Sequence, residues 1–165
     1  GAAGVVSGLA DVKDASLSVL IPNMKGYELA TAAGARSVAM VLYATDEMAQ
    51  ANVKMTMAEA DDATEAIITR AKADGVAVAA TISVSFECPF AGAVNPDVVL
   101  ASAERFLALG ADEYVVADTI GAANPGQVRA MMDALVRDHG ADKLACHFHD
   151  TRAPGLPAMS PPRTW

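Results

Sequence analysis

Leu144-Ala145-Cys146-His147-Phe148-His149-Asp150-Thr151 is an apolar run that ends in two histidines separated by one residue. Alternate residues of a β-strand share a face, so His147 and His149 point the same way and their ring nitrogens converge. A helix would need a spacing of three or four for the same result. Read as a strand, the stretch sets two imidazoles at a strand's C-terminal end, either as a pair of metal ligands or as two polar residues each satisfied by a neighbouring strand. Cys146, on the opposite face, reads as a small hydrophobe turned toward a helix layer.

Four earlier runs have the same character: Leu17 to Pro22, Ser37 to Tyr43, Val76 to Val84 and Glu113 to Asp118. Gly34, Gly75, Gly110 and Gly140 each follow a helical pattern and precede one of the strands, the place where a left-handed residue stops a helix. Helix starts are equally legible. Thr56-Met57-Ala58-Glu59 is a capping box, and Asn95-Pro96 and Asn124-Pro125 each pair a cap residue with proline at the first helical position. Ala60, Ala63, Ile67 and Ala71 form one apolar face, and Val99, Ala103 and Phe106 a second. Val128, Met131, Met132 and Leu135 form a third, with the methionines as core filler.

Strands alternating with helices of this length pair in parallel through right-handed crossovers, which is an α/β fold. A doubly wound sheet and a (β/α) barrel both satisfy the pattern. Asn23, Thr45, Ser83, Asp118, His147 and His149 fall at or just past strand C-terminal ends, the rim where barrel active sites gather. No glycine-rich dinucleotide loop follows any strand, against the doubly wound alternative. A complete barrel takes about 250 residues, whereas this chain has 165. The expectation is a partial TIM (β/α)8 barrel of about five βα units with parallel strands. Residues 1–153 would form this incomplete catalytic domain. Residues 154–165, with Pro154, Pro157, Pro161 and Pro162, would form an irregular or disordered tail. That tail and the opening Gly1-Ala2-Ala3-Gly4 read as a truncated or frame-shifted piece of something longer.

Composition narrows the partners. At 53% hydrophobic and 19% charged residues the chain can bury one core. A net charge of -8 without a Lys/Arg cluster argues against nucleic acid and anionic membrane as partners. Cys88 and Cys146 are the two cysteines, far apart and no disulfide framework. With no apolar run of roughly 18 residues and no leader-like N-terminus, the expected location is cytoplasmic. Cys88 sits in a loop, Phe86 to Phe90, without a neighbouring His or Lys, and reads as structural. His139 suits a helix C-terminus. Asp118 admits two readings: a carboxylate that orients a histidine, binds a substrate hydroxyl or assists proton transfer, or one that shapes an Asx-type turn. Unpaired edges of a five-stranded piece would favour association, which leaves a homo-oligomer open.

Taken in order, Val19-Leu20-Ile21-Pro22-Asn23-Met24-Lys25-Gly26, Cys88-Pro89-Phe90-Ala91-Gly92, Asp118-Thr119-Ile120-Gly121 with Pro125-Gly126, and His147-Phe148-His149-Asp150-Thr151 resemble the 3-hydroxy-3-methylglutaryl-CoA lyase family. That family is one branch of a group of metal-dependent Claisen-type TIM-barrel enzymes. The resemblance implies a carbon–carbon lyase that cleaves a 3-hydroxy-3-methylglutaryl-CoA-like thioester to acetyl-CoA and a keto acid, acetoacetate in the type reaction. It implies a role in leucine degradation and ketone-body chemistry, an acyl-CoA as partner, and Mg²⁺ or Mn²⁺ as cofactor, polarising the C3 hydroxyl.

Carried onto this chain, the resemblance makes His147 and His149 metal ligands and Asp118 and His147 catalytic, with Asn23, Ser83 and Thr119 as substrate-binding candidates. An Arg-Asp pair on the first barrel strand, a later Cys loop and an Asn, all expected of the family, have no counterpart here, and Ala79-Ala80-Thr81 stands where Arg-Gly-Tyr is frequent. A citramalyl-CoA-like substrate is therefore conceivable, and this truncated chain is expected to be inactive alone. A related acyl-CoA synthase of the isopropylmalate or homocitrate type, or a non-catalytic fragment, is the alternative.

Overall fold

Alternation of fully buried and half-buried residues along three strands organises the molecule. The structure is a computed structural model that describes residues 1–9, 12 and 17–151. In chain order the elements are α1 (Ala2–Gly8), β1 (Val19–Leu20), α2 (Met24–Ala32), β2 (Ser37–Tyr43), α3 (Asp46–Val53), α4 (Met57–Asp74) and β3 (Ala77–Ser83). These are followed by β4 (Glu87–Cys88), β5 (Gly92–Ala93), α5 (Pro96–Leu109), β6 (Glu113–Asp118), α6 (Pro125–His139), a 3-10 turn (Ala141–Lys143) and β7 (Leu144–Phe148).

Five strands form one parallel sheet in the order β1-β2-β3-β6-β7, which is also their order along the chain. Stepping always to the same side through crossovers of one hand keeps every connecting helix on one face. Accordingly α2, α4, α5 and α6 touch in sequence and form a single layer. A doubly wound sheet would reverse direction at a switch point, and this sheet does not. The result is an arc of a (β/α) barrel, the partial barrel anticipated from the sequence.

Which face meets the helices follows from two contacts. The Tyr114 hydroxyl donates to the Val99 carbonyl of α5 at 3.1 Å, and Cys146 Sγ lies 3.4 Å from Met132 Sδ of α6. Paired residues of parallel strands share a face, so Val38, Leu42, Val78, Ala80, Ile82 and Val116 belong to this buried side. Against them pack Ile67, Ile68 and Ala71 of α4, Val99, Ala103 and Phe106 of α5, and Val128, Met131 and Leu135 of α6. The other face is half-buried at Ala39, Val41, Ala79, Thr81, Val115 and Ala145 and buried toward the strand ends at Tyr43, Ser83 and Ala117.

Local signals explain the boundaries. Thr56 and Glu59 exchange their capping bonds, with Thr56 N–H donating to Glu59 Oε2 at 2.7 Å and Glu59 N–H to Thr56 Oγ1 at 3.2 Å. Asn124 and Gln127 do the same for α6. Gly75 and Gly110 are left-handed caps as expected, but Gly140 adopts φ 80°, ψ 154°, an extended exit into the 3-10 turn. The first strand, Val19–Leu20, is shorter than Leu17 to Pro22; at its C-terminal end Pro22 has no N–H to pair and Asn23 already caps α2 by accepting from Gly26 N–H at 2.9 Å. The last strand ends at Phe148, one residue before His149. Thr45 does not end a strand as a free polar group; it caps α3, a helix the periodicity did not reveal. Cys88 lies in an antiparallel hairpin, paired with Gly92, rather than in an open loop. The expected tail, 154–165, and the boundary at 153 lie outside the described residues. No helix among the described residues is long and apolar enough to cross a membrane.

Two outcomes follow. Phe106→Ala empties a fully buried position between helices and sheet, and a denaturant titration should find the chain about 3–5 kcal/mol less stable. Asp61 of α4 is pushed up to about 6, chiefly by burial, partly offset by Arg105 at 3.1 Å. Its folded carboxyl therefore holds its proton above the range of the unfolded chain. The stability it contributes is full below about pH 4 and is lost as pH rises through about 6. Asp61→Asn should remove that part of the slope in melting temperature measured from pH 4 to 7, as read by thermal scans.

Candidate functional site

β7 is held against β6 in the register Val116↔Cys146, Ala117↔His147, Asp118↔Phe148. Cys146 meets α6, so His147 lies on the helix-free face, and His149 returns to that face one step beyond the strand end. Their rings stand edge to face, with centroids 5.0 Å apart, and the two Nε2 atoms are 3.0 Å from each other. Both residues are exposed. Two ligands at about 2.1 Å from a hard cation and about 90° apart would be separated by about 3.0 Å, so this spacing suits adjacent corners of an octahedral ion. Among the described residues no group of three or more His, Cys, Asp or Glu gathers around such a point. The two imidazoles are in hydrogen-bond contact with each other through their Nε2 atoms. Cys146 takes no part in the pair: its Sγ faces α6, 3.4 Å from Met132 Sδ.

Asp118 is 2% exposed, and each of its carboxylate oxygens accepts one backbone N–H. Oδ1 accepts from Ala122 N–H at 2.9 Å and Oδ2 from Ala123 N–H at 3.0 Å, the turn-shaping arrangement. The Asp118 carbonyl, in turn, accepts from both His149 N–H at 3.2 Å and Gly121 N–H at 3.3 Å. The structure therefore brings Asp118 to the histidine strand through its backbone, while its side chain bonds the loop that follows.

The other expected substrate contacts are similarly engaged. Thr119 Oγ1 accepts from Val84 N–H at 2.8 Å, and Ser83 Oγ donates to the Leu42 carbonyl at 3.0 Å. Asn23 caps α2 at the far edge of the sheet, beside β1. A cavity of about 380 Å³ lies at that same edge, lined by Leu20, Pro22, Met40, Tyr43, Asn52 and Thr64 among others. It lies across the sheet from β7 and includes neither histidine.

Three residues to which the sequence reading gave no role of their own matter at this rim. Val84 is a buried β-branched residue at φ 53°, a left-handed conformation rarely held by such side chains, and the Thr119 hydroxyl bond supports it. Ser85 ties β3 to β6, its Oγ accepting from Ala117 N–H at 3.3 Å and its own N–H donating to the Ala117 carbonyl at 3.1 Å. Gly121, at φ 63°, sits directly against the backbone of the histidine segment. The tetrapeptide Asp118-Thr119-Ile120-Gly121 carries a turn signal, but nothing in the sequence says what the glycine faces.

Residues 4–159 match the HMGL-like family. The chain is 39% identical over 138 residues to an (R)-citramalyl-CoA lyase of Chloroflexus aurantiacus, covering 84% of this chain and 44% of that protein. It is 33% identical over 153 residues to a cytoplasmic 3-hydroxy-3-methylglutaryl-CoA lyase of Danio rerio, covering 93% of this chain and 46% of that one. Among solved structures, the HMG-CoA lyase of Brucella melitensis superposes with a TM-score of 0.89 at 37% identity, covering 95% of this chain and 56% of that one. An HMG-CoA lyase of Acinetobacter baumannii in complex with coenzyme A and 3-methylmalate gives 0.89 at 32% identity, over 95% of this chain and 51% of that one. The chain thus spans about half the length of these relatives. On fold, strand order and sequence together, it belongs to the HMGL-like family.

Proposed function

We propose that this chain supplies the histidine half of the active site of a carbon–carbon lyase acting on a branched 3-hydroxyacyl-CoA. The reaction is cleavage of a 3-hydroxy-3-methylglutaryl-CoA-like or citramalyl-CoA-like thioester to acetyl-CoA and a keto acid. The observation that carries this reading is the pair of Nε2 atoms 3.0 Å apart on the helix-free face, at the C-terminal end of a parallel strand. His147 and His149 would hold a divalent cation, Mg²⁺ or Mn²⁺, which when bound supplies Lewis-acid polarisation of substrate oxygens.

The chemistry balances without a further reactant. The C3 hydroxyl loses its proton, its oxygen forms the carbonyl of the keto acid, and the C2–C3 bond breaks. That bond's electron pair passes to the thioester enolate, which takes up a proton to become acetyl-CoA. In this arrangement Asp118 acts as a positioning residue through its loop, since its side chain is buried and each carboxylate oxygen holds a loop N–H. Thr119 and Ser83 hold the rim backbone in the same indirect way. With two cysteines free among the described residues, a reducing compartment such as the cytoplasm is the proposed setting.

Only two ligands converge among the described residues, which favours a second reading for the isolated chain: a half-site that binds metal without turnover. Calorimetric titration of the 165-residue chain with Mn²⁺ should give binding that His147→Ala weakens by about tenfold or more. Equal affinity of the two proteins would remove the metal site. Assayed alone with the hydroxyacyl-CoA, the chain should release little or no acetyl-CoA. Net consumption of acetyl-CoA by an enzyme completed with its remaining strands would replace the lyase assignment with a synthase.

A further inference from the structure

Gly121 has φ +63°, and a Cβ built on it would meet the His149 carbonyl oxygen at a separation no real Cβ adopts, with Thr151 Oγ1 at 2.9 Å and Thr151 N at 3.1 Å. Two of these three atoms are backbone, so no side-chain rotation relieves the clash. The same glycine and His149 share one acceptor, the Asp118 carbonyl, at 3.3 and 3.2 Å. The Asp118–Gly121 turn and the end of the histidine segment are therefore fitted to each other on two sides: a common hydrogen-bond acceptor below, and a van der Waals wall that only hydrogen can occupy.

We infer that Gly121 is a positioning residue for the second imidazole: the missing side chain lets the post-β6 turn close onto His149 and fix its ring at 3.0 Å from that of His147. This rests on the reading of the pair as a cation site only for its consequence in affinity, since the ring geometry is a property of the chain itself. His147 is anchored within the β7 ladder, whereas His149 lies beyond the strand end and has its N–H bond to Asp118 in place of continued pairing. Displacing the His149 carbonyl would swing its ring away while leaving His147 in place. Hence the effect falls on one partner of the pair.

Gly75 provides a matched control. It has φ +67°, caps α4, and has open space where a Cβ would go. Gly75→Ala imposes the same backbone conformation on alanine without the contact. Gly121→Asn complements it, because asparagine tolerates a left-handed conformation but still carries the Cβ.

Two readouts apply to each protein: Mn²⁺ affinity by calorimetry, and the nuclear Overhauser contact between the His147 and His149 ring protons in the metal-free chain. The expected result is loss of the ring contact and a drop in Mn²⁺ affinity of about tenfold or more in both Gly121→Ala and Gly121→Asn, with Gly75→Ala like the parent in both. Retention of the ring contact in Gly121→Asn, or its equal loss in Gly75→Ala, would overturn the inference. If the parent bound no Mn²⁺ while the ring contact was still lost only in the Gly121 variants, the functional reading would fall and the positioning role would stand.

Discussion

The register of β7 on β6 is the constraint on which the rim depends. In a strand a slip of one residue exchanges the two faces, so Cys146 and Phe148 would pass to the open side and both imidazoles would be driven into the helix layer. Two unlike forces prevent this. Leu144 and Phe148 pack on the helix side against the core, with Cys146 against Met132, and the His149 N–H is held by the Asp118 carbonyl just past the end of the ladder. Apolar packing thus chooses the face, and one hydrogen bond chooses the endpoint.

Sequence pattern carried most of the architecture because the architecture is mostly local. β2 and β6 have the bounds the alternation implies, and the caps at Thr56, Asn95 and Asn124 act through residues two or three positions away. The partial barrel followed from strand-helix alternation and polar residues at strand ends, and strand order bears it out. What escaped was either short or non-local. α3 has eight residues and a weak apolar face, so its buried Ala49 gives no visible period. The β4–β5 hairpin pairs two residues with two, too few for alternation to register.

The site divides along the same line. The convergence of His147 and His149 is a spacing of two on one strand, and spacing is visible in sequence. The disposition of Asp118 is not, because a carboxylate at a strand end serves a turn and a substrate equally well until the amides of Ala122 and Ala123 are placed. Thr119 is a comparable case: its partner, Val84, is 35 positions away, and the unusual backbone at Val84 is what gives that hydroxyl its work. Residues at a barrel rim that look like a substrate's neighbours also hold the rim in shape.

β7 is the border of the sheet on its side among the described residues, and it also bears the two imidazoles. Any segment that hydrogen-bonds along its vacant flank is delivered, by that act, to within a strand's width of the pair. Were the pair to hold an ion, closing the cylinder and enlarging its coordination sphere would be a single event, and by linkage an ion gripped by both sides would stabilise the seam as much as the seam completed its cage.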